Sequence, residues 1–310
     1  MKKAVKAGIA AGAALCLGAG LMELYRFTFY RRRSALSEAL FSGHNHSEDY
    51  YLCRDAAKDA LNSMVHEVFT LKSDNGYKLN GFYYRSGAQR SDRVAYIVHG
   101  YRSEHSETAG FFADYYLSRG IDIFCDDHVA SGASGGLFVG WDYLESKDCL
   151  KWIKLLKKLC GDDVKIILHG FSMGGATVLG MSDRCPENVR FIVSDSGYTS
   201  APDVIGLGKG IFKRPLVALL NRMNRRIAGY DLKDTDVRAA TAATGKPVLF
   251  VHGDRDGTVP LGMGLELFEL CSSPDKDMLI VDDARHVESY YCAPEAYEEK
   301  LDRYVNKYFN

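Results

Sequence analysis

A serine in a glycine-rich turn is the first group in this sequence that could act as a nucleophile. The stretch His169–Gly175 reads HGFSMGG and places Ser172 between two glycines. The apolar run Val164–Leu168 before it predicts a buried strand, and the small, apolar residues 176–181 after it predict a helix. A sharp strand-to-helix turn holds a serine hydroxyl outward at the carboxyl end of a sheet. The stretch therefore predicts a nucleophile, although a solvated serine in an ordinary glycine-rich turn has the same pattern.

A serine hydroxyl is a weak nucleophile without a base, so the chemistry also requires a histidine and an orienting acid. Both follow predicted strands later in the chain. The strand Val248–Val251 leads into a loop with Asp256, and the strand Met278–Val281 leads into a loop with His286. Open α/β sheets present their functional residues at the carboxyl ends of strands. We therefore predict Ser172 as the nucleophile, His286 as the general base and Asp256 as the orienting acid.

Taken together, these motifs resemble those of the α/β-hydrolase-fold serine hydrolases. The likeness is greatest to compact bacterial, membrane-anchored hydrolases related to the serine aminopeptidase-like and depalmitoylase-like branches. It covers about residues 65–310. It implies a mostly parallel central sheet flanked by helices, with a helical lid inserted after the sixth strand. The segments that carry the resemblance are His99-Gly100, Asp126–Gly136, Gly170–Gly174, His252–Pro260 and His286.

The resemblance also implies which groups stabilise negative charge during the reaction. In the family, the residue after His-Gly donates one backbone N–H to the oxyanion, and that residue is Tyr101 here. The residue after the nucleophile donates the other, and that residue is Met173. Losing one such donor costs acyl-transfer enzymes roughly 3 kcal/mol of transition-state stabilisation.

Other carboxylates and serines compete for the same roles. Asp256 aligns with the family's acid through the pattern of His252–Pro260, and we prefer it. Asp195 follows an earlier predicted strand, where some family members carry the acid, and it remains the alternative. Ser131 and Ser134 lie in a glycine-rich loop without the strand–turn–helix context, so we expect neither to be the nucleophile.

Composition argues against several other classes of protein. The chain has 310 residues, of which 46% are hydrophobic, and this fits one large α/β domain with a short N-terminal extension. Its formal net charge of −1 and its lack of a basic–aromatic motif argue against a nucleic-acid partner. None of the eight cysteines forms Cys-x-x-Cys or a zinc-type spacing. His44 and His46 could bind a metal, but a solvated loop explains them better, so we predict no metal and no cofactor.

The N-terminus has the pattern of a membrane anchor. Three lysines precede the apolar run Ala7–Met22, and an aromatic stretch, Phe27–Tyr30, is followed by three arginines. The apolar run is shorter than the roughly 20 residues that cross a bilayer, but the aromatic stretch extends it. We therefore predict a single-pass anchor over residues 1–33 and a cell-membrane location, with the side of the membrane undetermined. A cleaved signal peptide and a soluble helix are the alternatives.

The remaining chain divides into two parts, and the second contains a predicted lid. Residues 34–64 predict an amphipathic linker, whose helix over Asp49–Met64 would pack on the catalytic domain. Residues 65–310 would form the hydrolase domain. Within it, residues 198–244 interrupt the strand–helix rhythm and predict a helical, locally basic lid.

The predicted chemistry is hydrolysis of a carboxylic ester or thioester through an acyl-enzyme, as in EC class 3.1.1. The substrate would be a small or lipid-like acyl compound. A serine peptidase of aminopeptidase type is the alternative enzyme. A binding protein without catalytic activity is a third possibility, which the complete Ser, Asp and His set argues against.

Overall fold

Eight short runs rich in apolar residues pair into one sheet. The computed structural model describes residues 18–36, 46–205 and 213–309. Along the sheet the strand order is β1-β2-β4-β3-β5-β6-β7-β8. The strands are β1 (His66–Lys72), β2 (Lys78–Tyr84), β3 (Arg93–Val98), β4 (Asp122–Asp127), β5 (Lys165–Phe171), β6 (Val189–Asp195), β7 (Val248–Gly253) and β8 (Lys276–Val281).

The sheet is mostly parallel, as the resemblance implies. Strand β2 pairs antiparallel with both β1 and β4, and every pairing from β4 through β3, β5, β6 and β7 to β8 is parallel. The central strands β3 to β7 are almost continuously buried, because helices cover both faces of a parallel sheet. The carboxyl ends of β3, β5 and β7 consequently meet at one edge.

Helices fill the connections between strands, and helical segments follow the sixth strand where the lid is predicted. Residues 18–29 are helical and are called α1. The other α-helices are α2 (Glu48–Ser63), α3 (His105–Ala109), α4 (Ala113–Ser118), α5 (Tyr143–Cys160), α6 (Met173–Gly180), α7 (Ala201–Val204), α8 (Lys213–Ile227), α9 (Arg238–Ala243), α10 (Leu261–Leu270), α11 (Ser289–Cys292) and α12 (Pro294–Tyr308).

Each face of the sheet has its own apolar core. On one face, Trp152 of α5 packs with side chains of β3, β5 and the helix α6. On the other, Tyr297 of α12 and Leu61 of α2 pack against β4, β5 and β7. Two covered faces hold the sheet rigidly, so the loops at its carboxyl edge start from fixed points.

The predicted single-pass membrane anchor is wrong. Across residues 18–36, 46–205 and 213–309, no helix has both the length and the apolar character that a membrane crossing requires. Within α1, Tyr25 and Phe29 are fully buried in the apolar core on one face of the sheet. They lie four residues apart, so they share one helix face, and that face packs on protein. Residues 1–17, which hold most of the predicted apolar run, lie outside the described residues.

We predict that Phe29→Ala lowers the free energy of unfolding by about 3–5 kcal/mol, because it removes a fully buried ring from the core. Urea denaturation of the full chain measures the change. The control is Leu36→Ala, which truncates a side chain that is 57% exposed, and it should shift stability by less than about 0.5 kcal/mol. Equal stability of Phe29→Ala and the wild type would show that α1 is not part of the folded core.

Candidate active site

Ser172 occupies a strained backbone position between β5 and α6. Its φ is 55° and its ψ is −116°, a conformation that residues other than glycine rarely adopt. The flanking glycines make the turn possible. A Cβ on Gly170 would lie 2.2 Å from the carbonyl oxygen of Gly174, and a Cβ on Gly174 would lie 2.0 Å from that of Val98. The backbone N–H of Ser172 donates to the Asp195 carbonyl at 2.8 Å, which ties the turn to β6.

The structure brings together the three residues predicted as nucleophile, base and acid. The Ser172 Oγ lies 2.8 Å from Nε2 of His286. The Nδ1 of His286 lies 2.7 Å from Oδ2 of Asp256. The three side chains come from loops after β5, β7 and β8, and they are separated by up to 114 residues in the chain. In this geometry Nδ1–H donates to the carboxylate, and Nε2 can accept the hydroxyl proton.

Asp256 is held as a buried carboxylate. Its Oδ1 accepts the backbone N–H groups of Thr258 at 2.9 Å and Val259 at 2.8 Å. Burial alone would raise the pKa of Asp256, but hydrogen bonds from His252 and His286 hold that pKa well below its usual value. His252 was part of the sequence motif without an assigned role. Its Nε2 lies 2.8 Å from the Val259 carbonyl oxygen and 3.4 Å from Oδ2 of Asp256, so it braces the acid loop.

Asp195, the alternative acid, belongs to a different network. Its carboxylate accepts hydrogen bonds from Ser196 Oγ at 2.9 Å and from the Tyr297 hydroxyl at 3.1 Å. The Tyr297 hydroxyl also lies 2.8 Å from Nε2 of His169. Among the described residues, the hydrogen bond from His286 to a carboxylate goes to Asp256. Burial raises the pKa of Asp195 to about 6, against the lowering effect of its hydroxyl donors.

The loop after β3 lies directly against the nucleophile. A Cβ on Gly100 would sit 3.3 Å from the Cβ of Ser172, so a side chain there would press on the nucleophile. Two buried histidines hold the loop. The Nδ1 atom of His99 lies 2.7 Å from the Gly100 carbonyl oxygen. Its Nε2 atom accepts the backbone N–H of His128 at 3.0 Å. Burial lowers the pKa of His99 to about 3, so this ring is a neutral brace for the loop.

The two predicted oxyanion donors are both neighbours of Ser172, because Met173 follows it in the chain and Tyr101 lines the same pocket. Tyr101 follows Gly100, and its backbone N–H has no backbone acceptor within the described ranges. Met173 is the first residue of α6, where helix geometry leaves the N–H without an intrahelical acceptor. An oxyanion site requires N–H groups without backbone acceptors, so this arrangement is compatible with the assignment, which stays a prediction.

The two serines that we expected not to act have other environments. The hydroxyl of Ser134 donates to the Asp127 carbonyl at 2.5 Å and accepts the backbone N–H of Asn80 at 2.9 Å. These two bonds tie its loop to β4 and β2. The hydroxyl of Ser131 is buried and has no hydrogen-bond partner among the described residues.

A pocket of about 180 Å³ opens beside Ser172. The helix α2 and the segment that precedes it form one wall, contributing His46, Tyr50 and Arg54. His46 lies 2.9 Å from a carboxylate oxygen of Glu288, and burial lowers its pKa. The lining is mostly aromatic, with few charges. Its rings come from Tyr50, Tyr101, Phe111, Phe112, Phe171, Tyr290 and Tyr291.

One described cluster has ligand atoms close enough for a metal ion. Asp126, His128 and Cys149 are buried, and their ligand atoms lie within 4.8 Å of one another. The carboxylate of Asp126 already accepts hydrogen bonds from Tyr96 at 2.7 Å and Trp152 at 3.1 Å. These bonds explain a buried carboxylate without a cation, so we assign no metal there. His44 lies outside the described residues.

The raised pKa of Asp195 predicts a pH-dependent cost to stability. The native carboxyl keeps its proton up to about pH 6, whereas an unfolded aspartate loses its proton near the ordinary aspartate pKa of 3.8. Deprotonation therefore disfavours the native state as the pH rises through this window, by about 3 kcal/mol above pH 6. Asp195→Asn should gain stability relative to the wild type between about pH 4 and pH 6. Urea denaturation across pH measures this, and a constant difference would contradict it.

Comparisons with known proteins agree with the fold and the motifs. Residues 89–228 match the family described as serine aminopeptidase, S33. The uncharacterized protein YqkD of Bacillus subtilis strain 168 is 23% identical over 253 residues, which cover 80% of this chain and 82% of that protein.

Solved structures of esterases have the same fold. The esterase Pf2001 of Pyrococcus furiosus superposes with a TM-score of 0.63 at 20% identity, covering 87% of this chain and 98% of that one. The esterase domain of a Rhodothermus marinus protein superposes with a TM-score of 0.57 at 15% identity, covering 79% of this chain and 100% of that one. The chain therefore has the α/β-hydrolase fold, and residues 89–228 match the serine aminopeptidase family in sequence.

Proposed function

We propose that this protein is a serine hydrolase that cleaves carboxylic esters or thioesters through an acyl-enzyme. The observation that carries the proposal is the continuous hydrogen-bonded chain Ser172–His286–Asp256, with 2.8 Å and 2.7 Å between the paired atoms. The strained turn at Ser172 supports it, because it aims the hydroxyl at the pocket.

In the proposed mechanism, Ser172 Oγ attacks the substrate carbonyl while Nε2 of His286 takes its proton. Asp256 holds the imidazole with Nδ1–H towards the carboxylate and stabilises the imidazolium that forms. The N–H groups of Tyr101 and Met173 bind the oxyanion. The imidazolium then protonates the leaving alkoxide or thiolate. A water molecule hydrolyses the acyl-enzyme with His286 again as the base, and the acid product leaves.

The pocket favours a compact acyl group. Its volume of about 180 Å³ lies below the roughly 300 Å³ at the lower end of pockets for drug-sized ligands. Aromatic walls suit a short alkyl or an aryl group, because both bury apolar surface against flat rings. A fully extended long fatty acyl chain exceeds this space. We therefore propose short-chain or aromatic esters or thioesters as the substrate class.

A serine peptidase of aminopeptidase type is the second candidate. The sequence match to the serine aminopeptidase family favours it. The carboxylate of Glu107, which lines the pocket, also offers an acceptor for a substrate ammonium group. That carboxylate already accepts a hydrogen bond from Ser103 at 2.6 Å, so the ester remains our first choice.

We predict that the full chain hydrolyses p-nitrophenyl acetate and butyrate at least about tenfold faster, by kcat/KM, than p-nitrophenyl palmitate, because the pocket is small. Ser172→Ala should lose at least about a thousandfold in kcat. The matched control is Ser131→Ala, which removes a buried hydroxyl without a partner and should retain activity.

The outcomes separate the rival functions. If aminoacyl p-nitroanilides are hydrolysed faster than any ester, and this activity still depends on Ser172, the peptidase function replaces the esterase function. If the folded wild type hydrolyses neither substrate and does not react with a fluorophosphonate, the result supports the third possibility, a binding protein without catalytic activity.

Replacing each acid in turn tests the choice between them. Asp256→Asn should lower kcat by about 10⁴-fold, because the amide favours the wrong imidazole tautomer. Asp195→Asn should stay within about tenfold of the wild type, because Asp195 bonds to Ser196 and Tyr297. Steady-state kinetics on p-nitrophenyl acetate measures both variants. The reverse ranking would make Asp195 the acid.

A further inference from the structure

The carboxyl end of α1 lies over the loop that holds the proposed oxyanion donor Tyr101. The hydroxyl of Tyr101 shares its one proton between the carbonyl oxygens of Phe27 at 3.0 Å and Thr28 at 2.9 Å. The next residue, Arg102, donates from its guanidinium to the carbonyl oxygen of Phe27 at 2.8 Å and also to that of Tyr30. Two consecutive residues of this loop therefore hold one helix end.

These contacts follow from the chemistry of a helix terminus. The last four carbonyl groups of a helix lack intrahelical partners and carry the negative end of the helix dipole. A guanidinium satisfies several of them at once with parallel N–H groups. Arg102 also has a φ of 57°, a left-handed conformation that costs free energy in a residue with a side chain. The bonds to α1 supply a reason for that conformation to persist.

Contacts from a second side fix the same helix end. The indole Nε1 of Trp141 donates to the Thr28 carbonyl oxygen at 3.2 Å. The ring of Trp141 stacks on the ring of Tyr101, with centroids 4.7 Å apart. The Phe29 carbonyl oxygen accepts the backbone N–H of Val139 at 2.9 Å. The helix end is thus wedged between the Tyr101 loop and the segment before α5.

We propose that residues 27–31 act as a brace that places the Tyr101 backbone N–H in the oxyanion site, with the Tyr101 side chain, Arg102 and Trp141 as positioning groups. This inference rests on the proposed hydrolase function. Gly100 approaches the Cβ of Ser172 closely, so a small shift of the loop changes the distance from the Tyr101 N–H to the reacting carbonyl. A misplacement of about 1 Å costs such sites on the order of 100-fold in rate.

Two variants of the full chain test the brace. Tyr101→Phe removes the hydroxyl donor and keeps the backbone N–H, and Arg102→Met removes the guanidinium. With p-nitrophenyl acetate, we expect kcat to fall about tenfold in Tyr101→Phe and about 100-fold in Arg102→Met, with KM within about threefold. Phenylboronic acid, whose serine adduct places an oxygen in the oxyanion site, should bind more weakly by a similar factor.

A cation on the same helix provides the control. Arg26 has a side chain that is 48% exposed and pairs with Glu23 three residues away. Arg26→Gln should keep kcat, KM and boronate affinity within about twofold of the wild type. Urea denaturation of all three variants shows whether they remain folded. If Arg102→Met does not fold, Tyr101→Phe carries the test, because it deletes one oxygen atom.

Hydrogen–deuterium exchange separates failure of the brace from failure of the proposed function. The peptide covering residues 99–104 should exchange faster in both variants than in the wild type and Arg26→Gln, whether or not the protein hydrolyses esters. Unchanged exchange in this peptide overturns the brace. Wild-type kcat and boronate affinity in both variants also overturn it. A wild type without Ser172-dependent activity overturns the proposed function, and the exchange data then decide the brace alone.

Discussion

The geometry of the site depends on one strained turn between β5 and α6. At Ser172 the backbone has a φ of 55°, and it keeps this conformation because the strand, the helix and the neighbouring β3 loop fit together around it. Gly170 and Gly174 come so close to neighbouring carbonyl groups that any side chain would force them apart. A relaxed turn would bury the hydroxyl or aim it away from His286. The packing of the surrounding sheet and helix therefore offsets the backbone strain at Ser172.

Electrostatics reinforce that geometry from the far side of the imidazole. The side chain of Asp256 is buried, yet two backbone N–H groups and two histidine rings stabilise its negative charge. A buried carboxylate satisfied in this way fixes the ring of His286 without becoming protonated. Asp195 shows the contrast, because its fully buried carboxyl is bonded to neutral hydroxyls and its pKa rises to about 6. Two similar residues at adjacent strand ends thus have different chemistry because of their partners.

The N-terminal helix α1 is part of the folded domain that carries the candidate site. Tyr25 and Phe29 are buried in its core, and the backbone carbonyls of Phe27 and Thr28, which lie between them, accept hydrogen bonds from Tyr101, Arg102 and Trp141. The helix α2 contributes a wall of the pocket beside Ser172. Segments that precede the first strand therefore complete the site. The α/β-hydrolase fold supplies the sheet and the strained turn. In this chain the helices α1 and α2 also contact the Tyr101 loop and the pocket beside Ser172.

The sequence alone determined the fold class, the serine and the histidine of the hydrogen-bonded chain, and it narrowed the acid to Asp256 or Asp195, because local patterns encode them. Apolar runs end in Gly-x-Ser-x-Gly, in an acid loop and in a histidine loop, and parallel strands bring those ends to one edge. Sequence did not separate Asp256 from Asp195 by itself, since the choice depends on which carboxylate faces His286. It also misassigned the aromatic stretch after Met22, because apolar residues at helical spacing suit a bilayer and a protein core equally well. Only the tertiary structure showed that this face packs on the domain, since burial there is set by residues more than 70 positions away, such as Tyr101.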